Sequence, residues 1–357
     1  MKKKMIWLYF PAAVIGIYCA IRYSEECHRG ISQGISFCIG VLIPSLFFFM
    51  IIASFIVRSH SAILLTKPLE GISKAVFGLP AVSLSAILLA MLGGYPIGGR
   101  CVNALFEQNM LTQKQAQKTA YIAVAAGPGF VVNYIGLALL NSKKTGMILL
   151  AAQILSVILT GMIAKKLVPC EKETTNIPHM NQSGNLIVEA VTDASKGAFS
   201  MCAMVLLFCA VSEVLQSVFS PFAEAVTLVS GVLEVTTGVN RTSGRYPLWL
   251  TAFYVGFGGL SVHFQIFASL RKVNIKKYLF FLFRIINGLI AGVTTYILVS
   301  IFPETQAVFS TAEAGSAGIS GTVWGSAALI LSSLAFLGAI NQGGNYVRNR
   351  GYRDNKL

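Results

Sequence analysis

The chain has 357 residues, of which 55% are hydrophobic and only 12% charged, too little charge to cover the surface of a water-soluble domain. Its formal net charge of +14 is divided among short basic segments between apolar runs, a topological pattern that excludes a nucleic-acid-binding patch. The seven cysteines, 19, 27, 38, 101, 170, 202 and 209, form no CxxC pair and lie mostly in apolar runs, so neither a disulfide framework nor a metal centre is expected.

Lys2-Lys3-Lys4 precedes an apolar run from Met5 to Ile21 without a small-x-small cleavage site, which predicts an uncleaved first helix. Runs of about 20 apolar residues can cross the hydrocarbon core. They predict eight spans, near 5–22, 31–57, 118–141, 145–166, 189–218, 248–271, 278–302 and 322–342. Two segments are too short and too broken for that list. Residues 80–107 hold a short apolar arm that stops at Gly93-Gly94-Tyr95-Pro96, and 222–244 repeat the design around Glu234-Val235-Thr236-Thr237-Gly238. Both predict re-entrant hairpins. Leu65, Leu69, Ile72 and Val76 recur at helical spacing beside Lys67, Glu70 and Lys74, the pattern of a short interfacial helix. Thr112-x-x-Gln115 predicts a capping box at the next helix.

With eight alternating spans and both hairpins returning to the side they enter from, 22 of the 28 basic residues fall on one side, leaving only Arg22, Arg29, Lys143, Lys144, Arg241 and Arg245 opposite. Short basic loops resist translocation, so both termini are expected in the cytoplasm of a multi-pass bacterial membrane protein. Counting a hairpin as two crossings preserves the same parity.

The halves share an order of parts: a long helix opening near Ser32-Gln33-Gly34 or Ser195-Lys196-Gly197, a broken hairpin, then a helix interrupted at Gly127-Pro128-Gly129 or at Gly256-Phe257-Gly258-Gly259. Two full spans separate the units, so the second enters the membrane inverted, an arrangement of many secondary transporters. The chain thus divides into an N-terminal helix (1–30), a first unit (31–167), a second unit (168–302) and a C-terminal helix with a basic tail (303–357). The fold class is an all-α integral membrane protein with about eight transmembrane helices plus two re-entrant hairpins in an inverted repeat.

Interrupted backbone in a bilayer is tolerated only where protein or a watery cavity satisfies it, and its free N–H and C=O groups can then bind a solute. The bland reading of the same glycines is close helix packing, as for Gly288-x-x-x-Gly292. Candidate solute-binding positions are therefore Gly93, Gly94, Tyr95, Pro96, Gly127, Gly129, Gly258 and Gly259 at the breaks. Polar neighbours add Arg100, Asn133, Glu234, Thr236, Thr237, Ser261, His263 and Gln265. Arg100 suits a bidentate carboxylate fork or a snorkel to the interface, and pairs with Glu234 if the hairpin tips meet. Glu234 has three readings: a coupling-cation ligand, a proton carrier, or an organiser of its hairpin through backbone N–H groups. His263 suits a cavity wall or a satisfied buried imidazole. Glu213, and Arg284 with Asn287 near a cytoplasmic helix end, are read as joining helices.

GGYPIGGR (93–100), MLTQKQAQ (110–117), AAGPGF (125–130), LEVTTGV (233–239) and GFGGLSVHFQ (256–265) resemble the sporulation integral membrane protein family known as YlbJ. That family is placed among the nucleoside-recognition or Gate domain proteins, distantly similar to concentrative nucleoside transporters. The resemblance covers about residues 30–300. It implies a transporter in the mother-cell membrane around the forespore that moves dipicolinic acid, a small aromatic dicarboxylate, toward the forespore.

Other classes fare worse. HExxH is absent, and the two aspartates, Asp193 in the first turns of the run 189–218 and Asp354 in the tail, are read as lying outside the membrane interior, so no buried Asp dyad or zinc protease is expected. Ser261 and His263 lack an acid partner. A scaffold has no need of paired helix breaks, whereas a nucleoside carrier or a passive channel can use the same glycine-rich backbone. The expected partners are the lipid bilayer and a small-molecule solute. No enzyme activity, nucleic acid or cofactor is expected; a coupling proton or sodium ion and homo-oligomerisation stay open.

Overall fold

A computed structural model describes residues 2–59, 61–170 and 185–302. The predicted span 322–342 and the basic tail lie outside these residues. Every regular element among them is helical, as a bilayer demands of a chain that must satisfy its own backbone polar groups.

Helix α1 (Lys2–Arg22) leads into a continuous apolar rod made of α2 (Ser24–Phe37), one π-helical turn (Cys38–Leu42) and α3 (Ile43–Arg58). Short helices α4 (Ser61–Thr66) and α5 (Glu70–Ile72), joined through 3-10 and π turns, end at Phe77. They meet α6 (Ala81–Gly93) at an angle of 85°. Gly78 (φ +60°) and Pro80 make that corner, since a left-handed residue and a proline both stop a helix. After α6 come α7 (Tyr95–Glu107) and α8 (Gln113–Ile122). The capping box forms: Gln115 N–H donates to Thr112 Oγ1 at 3.3 Å, and Thr112 N–H to Gln115 Oε1 at 3.0 Å.

The predicted span 118–141 is divided. Helix α8 ends at Ile122, residues 123–127 leave the helix, and a π-helical segment runs from Gly129 to Leu139. Pro128 supplies no N–H to a continuous ladder, and Gly127 and Gly129 remove the side chains that would keep neighbouring backbone away. Then follow α9 (Lys143–Leu167), α10 (Leu186–Val218), α11 (Ala223–Leu233), α12 (Val235–Thr242), α13 (Leu248–Phe257), α14 (Gly259–Ser269) and α15 (Lys277–Ile301). Among the described residues, five stretches are long and apolar enough to cross a membrane: Ser24–Arg58, Lys143–Leu167, Leu186–Val218, Leu248–Ser269 and Lys277–Ile301. The bent pair ending at Gly93 makes six if it is one span.

Small residues set the packing. Gly30 and Gly34 of α2 face α10 so closely that a Cβ on Gly30 would sit 2.5 Å from Ala210 Cα. Gly136 meets Gly146, and Gly256 meets Gly288, in the same way. Between helices in lipid, where apolar contact gives no net gain over lipid tails, such close approach supplies the dispersion that holds the bundle. Apolar side chains on the outer faces, such as Phe199, Leu289 and Tyr296, stay exposed and are satisfied by lipid contact.

Candidate functional site

Two helix pairs double back at single residues. Helices α6 and α7 turn at Gly94, whose φ of +93° and ψ of 178° lie in a region essentially reserved for glycine. Their arms close together because Gly98 faces Ala90, where a Cβ on Gly98 would come within 2.9 Å of the alanine methyl. Helices α11 and α12 turn at Glu234, and their arms meet at Gly231 and Gly238. The Glu234 carboxylate accepts the Thr236 N–H at 3.0 Å and the Thr237 N–H at 2.6 Å, satisfying two of the unpaired donors at the start of α12. A negative cap at the positive end of that helix is also favourable electrostatically.

Each broken helix rests on the tip of one turn. A Cβ on Gly127, in the break after α8, would meet Leu92 O at 3.1 Å and Gly94 N at 3.2 Å. A Cβ on Gly259 (φ +72°), in the break between α13 and α14, would meet Val235 N at 3.0 Å and Glu234 Cα at 3.3 Å. Tyr95 then ties one half to the other: its hydroxyl donates to Val255 O at 2.7 Å, and its ring lies 3.5 Å from where a Gly258 Cβ would stand.

Between the tips lies a cavity of about 20 Å³, near the space one water needs. Gly94, Tyr95, Pro96, Gly127, Glu234, Thr236 and Gln265 all line it. Thr236 is 1% exposed, and its side chain lies beside the Glu234 carboxylate. Pro96, Met201 and Gln265 are shared with a larger cleft of about 270 Å³. That cleft carries four basic side chains, Arg58, Arg100, Lys196 and Arg271, against two acidic ones, Glu107 and Asp193.

Other sequence candidates lie elsewhere. Gly93 packs on Phe49 and Ile97, and Gly129 on Ser45. Asn133 is exposed. Thr237 Oγ1 is 3.3 Å from Cys209 Sγ, and Ser261 accepts from Gln265 Nε2 at 3.2 Å. His263 is buried behind the second break, hydrogen-bonded through Nδ1 to Gly259 O and surrounded by Phe257, Phe280 and Phe281. It lines neither cavity.

Arg100 does not pair with Glu234. It lies six residues past the tip, about 9 Å along α7, and forms an ion pair with Asp193 while donating to the Asp193 carbonyl at 2.5 Å. Asp193, expected outside the membrane interior, is the eighth residue of the 33-residue α10, close to its first turns.

Sequence reasoning missed the depth of Arg284. It is 1% exposed and donates to Val124 O at 2.9 Å, to Phe257 O at 3.3 Å and to Gly256 O. One guanidinium thus satisfies carbonyls freed at both helix breaks, and its charge faces two helix C-terminal ends. Asn287 adds a bond to Gly256 O at 2.9 Å and accepts from Thr160 at 3.1 Å. The available signal was position: Arg284 falls seven residues into α15, about 10 Å deep.

Apolar spans wrapped around interrupted, internally satisfied helices define a multi-pass integral membrane protein in contact with the lipid bilayer. The chain is 21% identical over 321 residues to the sporulation integral membrane protein YlbJ of Bacillus subtilis (strain 168), an alignment covering 78% of this chain and 79% of that protein. It is a distant YlbJ-type relative. No protein-family model and no solved structure matches it.

Proposed function

We propose that the chain is a membrane transporter for a small polar or anionic solute, built as an inverted repeat in which the two turns at Gly94 and Glu234 are re-entrant hairpins reaching the membrane interior from opposite sides. The observation that carries this reading is the cavity shared by both tips, lined by Glu234 and Thr236 and adjoining the basic cleft of about 270 Å³. The start of α7 at Gly94 suits an anion or a polar solute, while the first donors of α12 are held by Glu234. The basic excess of the adjoining cleft favours an anion.

By resemblance to YlbJ-type proteins and the Gate-domain group, the solute is dipicolinic acid, exported from the mother cell toward the forespore, with both termini cytoplasmic. A nucleoside carrier is the alternative within the same architecture. A passive channel is less favoured, because the space between the tips is near that of one water. No side chain at the tips forms a nucleophile–base pair, and the site is read as non-enzymatic.

Uptake into proteoliposomes, with dipicolinate, a nucleoside and a simple aliphatic dicarboxylate compared side by side, tests the reading. Saturable dipicolinate flux is expected. Nucleoside flux in its place would move the assignment to the alternative, and no protein-dependent flux of any of the three would end it.

A further inference from the structure

Of the three carboxylates on the long helix α10, Glu189, Asp193 and Glu213, the last two stand twenty residues apart, about 30 Å along the helix. That is the thickness of a hydrocarbon core. Each is ion-paired to an arginine from the second arm of one helical turn: Arg100 of α7 with Asp193, and Arg241 of α12 with Glu213. The arginines hold matching places, six residues past Gly94 and seven past Glu234. Both pairs are mostly withdrawn from solvent, with side-chain exposures of 20% and 29% for the first and 16% and 19% for the second.

The surroundings make these pairs unequal. Asp193 also accepts from Ser54 Oγ at 3.1 Å and has Arg58 Nη2 at 3.8 Å, an arginine whose Nη1 pairs with Glu189 at 3.0 Å, so it keeps a donor and a shared cation if Arg100 leaves. Glu213 has Arg241 as its ion-pair partner among the described residues, while Arg241 also bonds Gln216 Oε1 at 3.3 Å. Separating a half-buried pair is costly chiefly through the charge left alone. Release of Arg100 leaves a compensated carboxylate, whereas release of Arg241 does not. The Arg100 pair also opens onto the 270 Å³ cleft. Gly197, one turn past Asp193, provides the room for it: a Cβ there would meet Arg100 Cζ at 2.9 Å.

We propose that Arg100–Asp193 and Arg241–Glu213 are paired latches, one for each hairpin and one near each end of α10, which are released alternately as the protein exposes its site to one side and then the other. The proposal rests on the carrier reading, since a channel needs no alternation. Asp193 and Glu213 are thereby positioning residues, acting on the solute site through the α7 and α12 arms.

Hydrogen exchange followed by mass spectrometry on the full chain in lipid nanodiscs tests this without any solute, so its failure is separable from failure of the transport assignment. Asp193→Asn should raise exchange severalfold in residues 95–107 and lower it in 235–242; Glu213→Gln should do the reverse. Gly197→Ala, whose methyl would crowd the flexible end of Met50 at 2.4 Å and the Arg100 guanidinium at 2.9 Å while improving local helix propensity, should reproduce the Asp193→Asn pattern. An Arg100→Asp, Asp193→Arg double exchange should restore the parent pattern. Independent structural clamps would loosen only their own arm, and a general defect would loosen both. Either result, including in Gly197→Ala, overturns the proposal.

Discussion

The Arg284 guanidinium lies 2.9 Å from the carbonyl of Val124, 160 residues away in sequence, and the same side chain holds the carbonyls of Gly256 and Phe257. One buried cation therefore joins the two helix breaks against which the two tips rest. Replacing it with methionine keeps most of the volume but strands these carbonyls. Arg284→Met should cost about 3 kcal/mol, read as a lowered thermal midpoint in detergent. Arg284→Lys, with the charge but not the fork, should fall between the two.

Gly94 occupies a backbone region that only glycine tolerates, and a Cβ there would meet Leu46 at 2.9 Å. Gly94→Val and Gly259→Val should therefore abolish transport with little loss of membrane insertion. Gly71→Val is the control, because nothing lies within 4 Å of a Cβ at that position. Equal flux in Gly94→Val, Gly259→Val and Gly71→Val would count against a site built from backbone.

Thr236 separates binding from folding. It lines the cavity with its side chain beside the Glu234 carboxylate, so replacing the hydroxyl by an isosteric methyl should change stability by no more than about 1 kcal/mol. Thr236→Val is expected to weaken solute binding all the same. A variant that binds solute like the parent would show that the hydroxyl plays no part in recognition.

Glu234 is tested through its two backbone acceptors. Glu234→Ala should lower stability by about 1–2 kcal/mol through loss of the cap, and flux should fall with it. Glu234→Gln retains one side-chain oxygen for Thr236 or Thr237 and should recover part of that stability in a denaturation series. If flux stays low in Glu234→Gln at restored stability, the charge itself is needed for turnover.

Where the sequence was legible, the reason was local chemistry. The turns and breaks at Gly94, Gly127 and Gly258 could be read because glycine and proline act on their own backbone, and the one at Glu234 because a short apolar arm ends there in a polar helix cap. The Thr112–Gln115 cap likewise needs only its own four residues. Arg100, Asp193, Arg284 and His263 were not legible in the same way, because their partners lie in distant segments. Arg100 stood equally well beside Glu234 on paper, and only the rise along α7 carries it to α10 instead. His263 sits one turn from a glycine break, yet Phe257, Phe280 and Phe281 enclose its ring. Hydropathy runs on unbroken across 118–141, so its interruption is legible from Gly127-Pro128-Gly129 alone: the break changes backbone pairing without changing apolar content.

Counterflow in proteoliposomes tests the central claim most directly: vesicles loaded with unlabelled dipicolinate are diluted into a trace of labelled dipicolinate. A carrier whose site faces one side at a time predicts a transient accumulation of label above equilibrium, reduced in Thr236→Val and lost in Gly94→Val. Label that rises to equilibrium without overshoot, at the same rate in the parent chain and both variants, would contradict an alternating site at the two tips.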